Sequence, residues 1–211
     1  MKFSDLLEII GNEPVFESGL LLAGAVDPID VRRQLSRWTK AGRLYKLRRG
    51  LYALAPPFQK VKPHPFVIAN RMMRSSYVSL QSALGYYGLI PDIVPVTTSV
   101  TTGRTNQWET PLGVYTFRHI KTELFSGYRL LALGSNQQAF VATPEKALLD
   151  LIHLQPGGDA PEYLHELRLQ TLDKLDLESL QLQAEQASSP KLRRAAASVI
   201  KELQSEEYET L

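Results

Sequence analysis

DPIDVRRQLSRWTKAGRLYKLRRGLYAL, residues 27–54, decides the fold of the N-terminal part of this chain. Asp27 and Pro28 supply an N-cap and a proline at the first helical position, which predicts a helix starting at Pro28. The helix runs to about Ala41, and Gly42 is its stop. At 100° per residue Val31, Leu35 and Trp38 fall within about 60° of one another and form the inner face. Arg33, Ser36, Arg37 and Lys40 lie opposite them. After the helix, Leu44–Leu47 and Leu51–Leu54 are two short β-prone runs around Arg48, Arg49 and Gly50, which reads as a hairpin with a basic tip.

Upstream, Phe3, Leu6, Leu7 and Ile10 have helical spacing and end at Gly11-Asn12, predicting a helix over 3–11. A second, short helix is expected from about Phe16 to Leu22, stopping at Gly24. Two short helices, a third with a basic face and then a hairpin describe a winged helix-turn-helix. A helix about 10–12 Å wide fits a duplex major groove of similar width. Arg33 and Arg37 carry the fork that matches a guanine edge, whereas Lys40 suits a phosphate. Arg43 and Lys46 add charge on the hairpin, and Arg48 and Arg49 at its tip would meet the backbone or minor groove. RNA is the competing partner, but Trp38, Tyr45 and Tyr52 read as core residues and not as an exposed stacking platform.

The 211 residues are 44% apolar and 22% charged, ordinary globular usage. There is no cysteine, which excludes disulfides, thiolate metal sites and Cys nucleophiles. Net charge is only +2, yet residues 1–63 carry eleven Lys/Arg against six Asp/Glu. Residues 27–62 alone hold ten basic and two acidic side chains, the footprint of a polyanion partner. The opening MKFSDLLEII has Asp5 and Glu8 inside its apolar pattern, unlike a secretory signal, and no apolar run reaches the length of a membrane span. A cytoplasmic protein without a membrane partner is expected.

Pro56, Pro57, Pro63 and Pro65 make a stiff connector, so a boundary is placed at about residue 62. The fold class expected is α+β: residues 1–62, then a mixed α/β unit over 63–211 that becomes helical from about 160 onward. Helices are predicted near 64–73, 79–88, 144–154, 161–169 and 190–204. Strands are predicted near 96–102, 114–120, 128–133 and 139–142. Thr143-Pro144-Glu145 combines an N-cap, a first-position proline and a first-turn acid.

No phosphate-binding glycine loop, nucleophile elbow or metalloprotease helix motif occurs. His64, His119, His153 and His165 are scattered, and His153 within an apolar helix reads as a satisfied structural residue. Glu145 and Asp150, five residues apart, point to different faces and make no carboxylate pair. TTSVTTGRT (97–105) could hold a phosphate, but a strand with a solvated threonine face accounts for it as well. No catalytic group, cofactor or metal is therefore expected.

VRRQLSRWTKAGRLYKLRRGLYAL (31–54), SYVSLQSALGYYGLIP (76–91), TTSVTTGRT (97–105) and VATPEKALLDLI (141–152) together resemble the AbiEi family of antitoxins from type IV toxin–antitoxin systems. The four stretches come in the family's order and span about residues 1–155; the tail after Gly158 matches little. The resemblance implies an N-terminal winged helix, a C-terminal antitoxin domain, and autorepression through inverted repeats in the operon's promoter. It also implies a functional partner, a nucleotidyltransferase-like toxin, countered without a tight complex. The DNA-reading role carries over to Arg32, Arg33, Arg37 and Lys40 and to Arg48 and Arg49, and no catalytic motif carries over to the second domain. The alternative reading is a winged-helix protein whose second domain processes nucleic acid or binds a nucleotide.

Overall fold

In the computed structural model, which describes residues 1–23, 27–91, 94–171 and 174–209, the chain begins with the helix α1 (Phe3–Ile10). The Asp5 carboxylate accepts the Lys2 backbone N–H at 2.7 Å and so closes its first turn, and Leu6 and Ile10 are buried. The short helix expected over 16–22 forms only from Ser18 onward, and as a 3₁₀ helix. Phe16–Glu17 is instead a two-residue strand, β1, followed by a 3₁₀ turn over Ser18–Leu22. Phe16 stacks on Tyr52 and its backbone is held by a neighbouring strand, which leaves too few residues for an α-helix. The stop expected at Gly24 lies outside the described residues.

The second helix, α2 (Pro28–Lys40), starts where the sequence predicts, with the Asp27 side chain accepting the Ile29 N–H at 2.8 Å. It buries Val31, Leu35 and Trp38. Gly42, at φ 68°, turns the chain out of the helix, and Arg43 N–H donates back to the Trp38 carbonyl. The strands β2 (Leu44–Arg48) and β3 (Leu51–Leu54) then pair antiparallel, and β1 adds to the other side of β3.

A bulge between Lys46 and Arg48 matters for everything that follows. In regular pleating alternate residues face opposite sides; the extra residue lets Leu47 and Arg48 turn the same way. Leu44 and Leu54 join Leu6, Ile10, Phe16, Leu21, Val31, Leu35 and Trp38 in a small N-terminal core. Leu47, Leu51 and Ala53, with Val15, belong to a second and larger core built mostly from the rest of the chain.

That larger core is organised by a six-stranded mixed sheet. Its members are β4 (Ser76–Val78), β5 (Val96–Thr101), β6 (Asn106–Thr110), β7 (Gly113–His119), β8 (Tyr128–Ala132) and β9 (Gln138–Ala142). The order is β6-β7-β5-β4-β9-β8, with β4/β9 and β5/β7 parallel and the remaining pairs antiparallel. The helix α3 (Pro65–Met72) enters from the connector, α4 (Leu80–Tyr87) follows β4, and α5 (Pro144–Leu154) follows β9. Every residue from Pro144 to Ile152 is buried, so α5 is the spine of this half. The short α6 (Pro161–Glu166), then α7 (Leu177–Gln186) and α8 (Pro190–Glu209), close the chain. The fold is mixed α+β, as expected, with β1, β4, β6 and α7 as elements beyond those the sequence predicts.

The proline-rich connector is fastened rather than free. Phe58 packs edge-on against Phe3, and the Gln137 side chain bridges the Lys62 carbonyl and the His64 N–H. Among the described residues no helix is long and apolar enough to cross a membrane.

Candidate nucleic-acid interface

The wheel places Arg33, Ser36, Arg37 and Lys40 on the outer face of α2, and all four are exposed. Arg32, one step round the helix, is also exposed and turns toward the hairpin. Arg32, Ser36 and Lys40 from α2 and Lys46, Arg49 and Tyr52 from the hairpin line one open groove of about 740 Å³. All the charged side chains around it are cationic, so their fields add over a concave surface. One flank of α2 and the hairpin tip thus share this groove, while Arg33 and Arg37, farther round the helix, do not line it.

Local chemistry explains why the groove exists. The turn at Arg49-Gly50 has Gly50 at φ 80°, a backbone state that costs glycine nothing. The Gly50 carbonyl accepts the Ser18 N–H at 2.8 Å, and a Cβ on Gly50 would lie 3.4 Å from Ser18 Oγ. The 3₁₀ turn therefore packs against the hairpin tip and forms the end wall. Arg33 makes only a 3.4 Å ion pair with Asp30, both side chains mostly exposed, a contact worth ~0–1 kcal/mol that a stronger anion can displace.

Two further predicted residues, Arg43 and Arg48, also lie outside the groove. Arg43 is exposed but holds its guanidinium 5.0 Å above the Phe3 ring, on the α1 side of the hairpin. Arg48 follows the bulge and turns away from the groove. Its guanidinium donates to the carbonyls of Arg49 and Arg71 and lies 3.8 Å from Glu17, with only 26% of the side chain exposed. Arg48 ties the hairpin to the second half of the chain. Ser18 and Thr39 line the groove without having been singled out from sequence, and Tyr52, expected in the core, is half-buried and lines it too, because the fold brings the 3₁₀ turn and β3 beside α2. Arg71 in the last turn of α3 and Arg74 just after it pair with Glu13 and Glu17, before and in β1; no local pattern in RMMRSS marks them.

No family model and no curated protein matches this chain.

The other sequence candidates are used internally. In 97–105 the expected solvated threonine face is not found: Ser99 and Thr101 are buried and Thr97 and Thr98 half-buried. Thr98 Oγ1 donates to the Ser79 carbonyl and Thr101 Oγ1 to the Ser75 carbonyl, so β5 uses its hydroxyls to fasten the start of α4 and the approach to β4. The loop that follows is tied back by His119 Nδ1, 2.8 Å from the Gly103 carbonyl oxygen. Glu145 and Asp150 do face different partners: Glu145 accepts the Asp176 N–H, and Asp150 bonds Lys146 at 2.7 Å, Ser79 at 2.7 Å and Tyr77 at 2.9 Å. Burial pushes the Asp150 carboxyl up against the pull of Lys146 and the two hydroxyls. Half-buried His153 has its pKa lowered by desolvation. Among the described residues, no group of three or more His, Asp or Glu is placed to hold a metal ion.

Proposed function

We propose that this chain is a sequence-specific DNA-binding repressor whose N-terminal part works as a winged helix-turn-helix, with α2 as recognition helix and β2–β3 as wing. The observation that carries the reading is the single cationic groove shared by Arg32, Ser36 and Lys40 on α2 with Lys46 and Arg49 on the hairpin. Arg33 and Arg37 on the outer face read base edges in the major groove, while Lys40, Lys46 and Arg49 contact phosphates. Arg48 is assigned to holding the wing in place, and Arg43 to its outer flank.

The resemblance to AbiEi antitoxins extends the proposal. The operator is a set of inverted repeats in the chain's own promoter, and the second half counters a nucleotidyltransferase-like toxin in the cytoplasm without a stable complex. Six to eight neutralised phosphates correspond to a salt slope of about −5 to −7, at ~0.9 per phosphate. Titration of fluorescent promoter duplex should give that slope, and R33A/R37A should lose each guanine contact at about 1–3 kcal/mol. Unchanged affinity in the double variant overturns the assignment of α2. The same variant should release promoter repression in a reporter strain yet still rescue growth when co-expressed with the toxin. Loss of both activities would instead tie the antitoxin role to DNA.

A further inference from the structure

Beyond the helix and hairpin, an exposed cationic side chain from the second half of the chain reaches β1, the edge strand beside the hairpin, and is held there by a carboxylate. Arg74 follows α3, and its Nη2 donates to both oxygens of Glu17, at 2.9 and 2.7 Å. Arg74 is nonetheless 76% exposed along its side chain, so the contact sits at the surface. Glu17 is in register with Leu51, next to the Arg49-Gly50 turn, and immediately precedes Ser18, which lines the end of the groove. Arg48 approaches the same carboxylate at 3.8 Å, and Arg71 lies beside it with Glu13 at 3.6 Å. The Arg74 hydrogen bond holds the Glu17 carboxyl below its ordinary range, so at neutral pH it is a full anion.

A carboxylate whose two oxygens both accept from one nitrogen of an exposed arginine stands where an oxygen pair of a backbone phosphate would stand. We propose that Arg74 is a further phosphate-contacting residue of the DNA surface, with Glu17 occupying it as an internal anion until a duplex displaces the carboxylate. The inference rests on the DNA-binding reading and deepens it: Glu17 and Arg48, both in register with Leu51, face away from the groove, so the contacted backbone has to round the hairpin tip to reach Arg74 on the second half of the molecule. Exchange is inexpensive because an exposed ion pair contributes little in water, whereas each phosphate contact releases a condensed counterion. Glu17 then sets affinity by competition, lowering binding to any duplex without changing which sequence is preferred.

The test is a fluorescence anisotropy titration of promoter duplex across a series of KCl concentrations, with thermal melts confirming that each variant is folded. R74A should bind about fivefold more weakly and flatten the salt slope by ~0.9, the value of one phosphate. R74K should keep most of the slope. Glu17→Gln should bind about fivefold more tightly, and that gain should shrink in the R74A background. Glu8→Gln, which removes the same charge from the exposed side of α1, should stay near wild type. Wild-type affinity and slope in R74A, or no gain in Glu17→Gln beyond that of Glu8→Gln, overturns the inference. If R33A/R37A abolishes binding while R74A changes nothing, only this inference fails. If the wild-type chain binds no duplex, the parent reading fails and takes this one with it.

Discussion

Asp150 is the most heavily committed side chain in the second half: fully enclosed, it accepts from Lys146, Ser79 and Tyr77 at once. The Lys146 ammonium also donates to the Leu124 carbonyl at 2.7 Å, so the pair joins α5 to the segment before β8 and to β4. Burying two charges is costly, and their mutual attraction offsets that only while both are present. Lys146→Met leaves an uncompensated buried carboxylate and should cost about 3–5 kcal/mol in urea unfolding. K146M/D150N should recover much of that loss, since the asparagine is neutral and its amide oxygen still accepts from Tyr77 and Ser79. A double variant no more stable than Lys146→Met would mean that the charge is not what matters there. The bulge residue Leu47 shows the same economy of position: by adding one residue to β2 it aims Arg48 at the Arg71 carbonyl and leaves Lys46 in the groove.

At the scale of elements, α3 is set by His64, whose neutral Nδ1 accepts the Phe66 N–H at 3.2 Å while its ring packs on the Phe66 side chain. Burial lowers the His64 pKa from its ordinary 6.5. The neutral form is the one the fold prefers, so its contribution is fully present above pH ~6.5 and is lost as pH falls through the lowered folded value. His64→Asn supplies a cap that does not titrate there. Between about pH 7.5 and pH 5 its urea midpoint should fall less than that of wild type. An equal fall in both proteins would remove His64 from the account. The helices α2, α3 and α5 were legible because each combines a first-position proline with a capping side chain, a signal carried entirely by local residues. The strand β6 was not, because NQWET is an edge strand with one apolar residue, the half-buried Trp108, and so shows no apolar alternation. The strand β4 is only three residues long and buried on both sides, so periodicity had nothing to register. Asp176, which caps α7 by accepting the Ser179 N–H, was a readable mark that composition alone hid. Of the candidate interface, the cations of α2 and the hairpin were readable in the sequence. The diversion of Arg48 and the arrival of Arg74 were not, since one follows from a bulge and the other from how two distant segments pack.

Across the whole molecule, the hairpin is the shared part: one of its faces closes the N-terminal core and the other enters the core of the second half. Glu17 and Glu13 add ion pairs to Arg74 and Arg71 across the same junction. These exposed pairs fix orientation more than they stabilise. Burial of Val15, Leu47 and Leu51 does more, at about 1.5–3 kcal/mol for each fully buried side chain. Their loss would remove on the order of 5 kcal/mol, comparable with the whole stability of a small domain. Residues 1–62 expressed alone should therefore fail to fold cooperatively, while the full chain should unfold in one transition. The two tryptophans allow this to be measured, because Trp38 belongs to the N-terminal core and Trp108 packs edge-on against Phe117 in the other. In Trp108→Phe the remaining fluorescence reports the first part, and in Trp38→Phe the second. Within each variant the fluorescence and circular dichroism midpoints in urea should coincide. If Trp38 instead loses its signal at lower urea than the bulk of the helix content, the two halves are separable, and the hairpin cannot hold the groove and Arg74 in one frame.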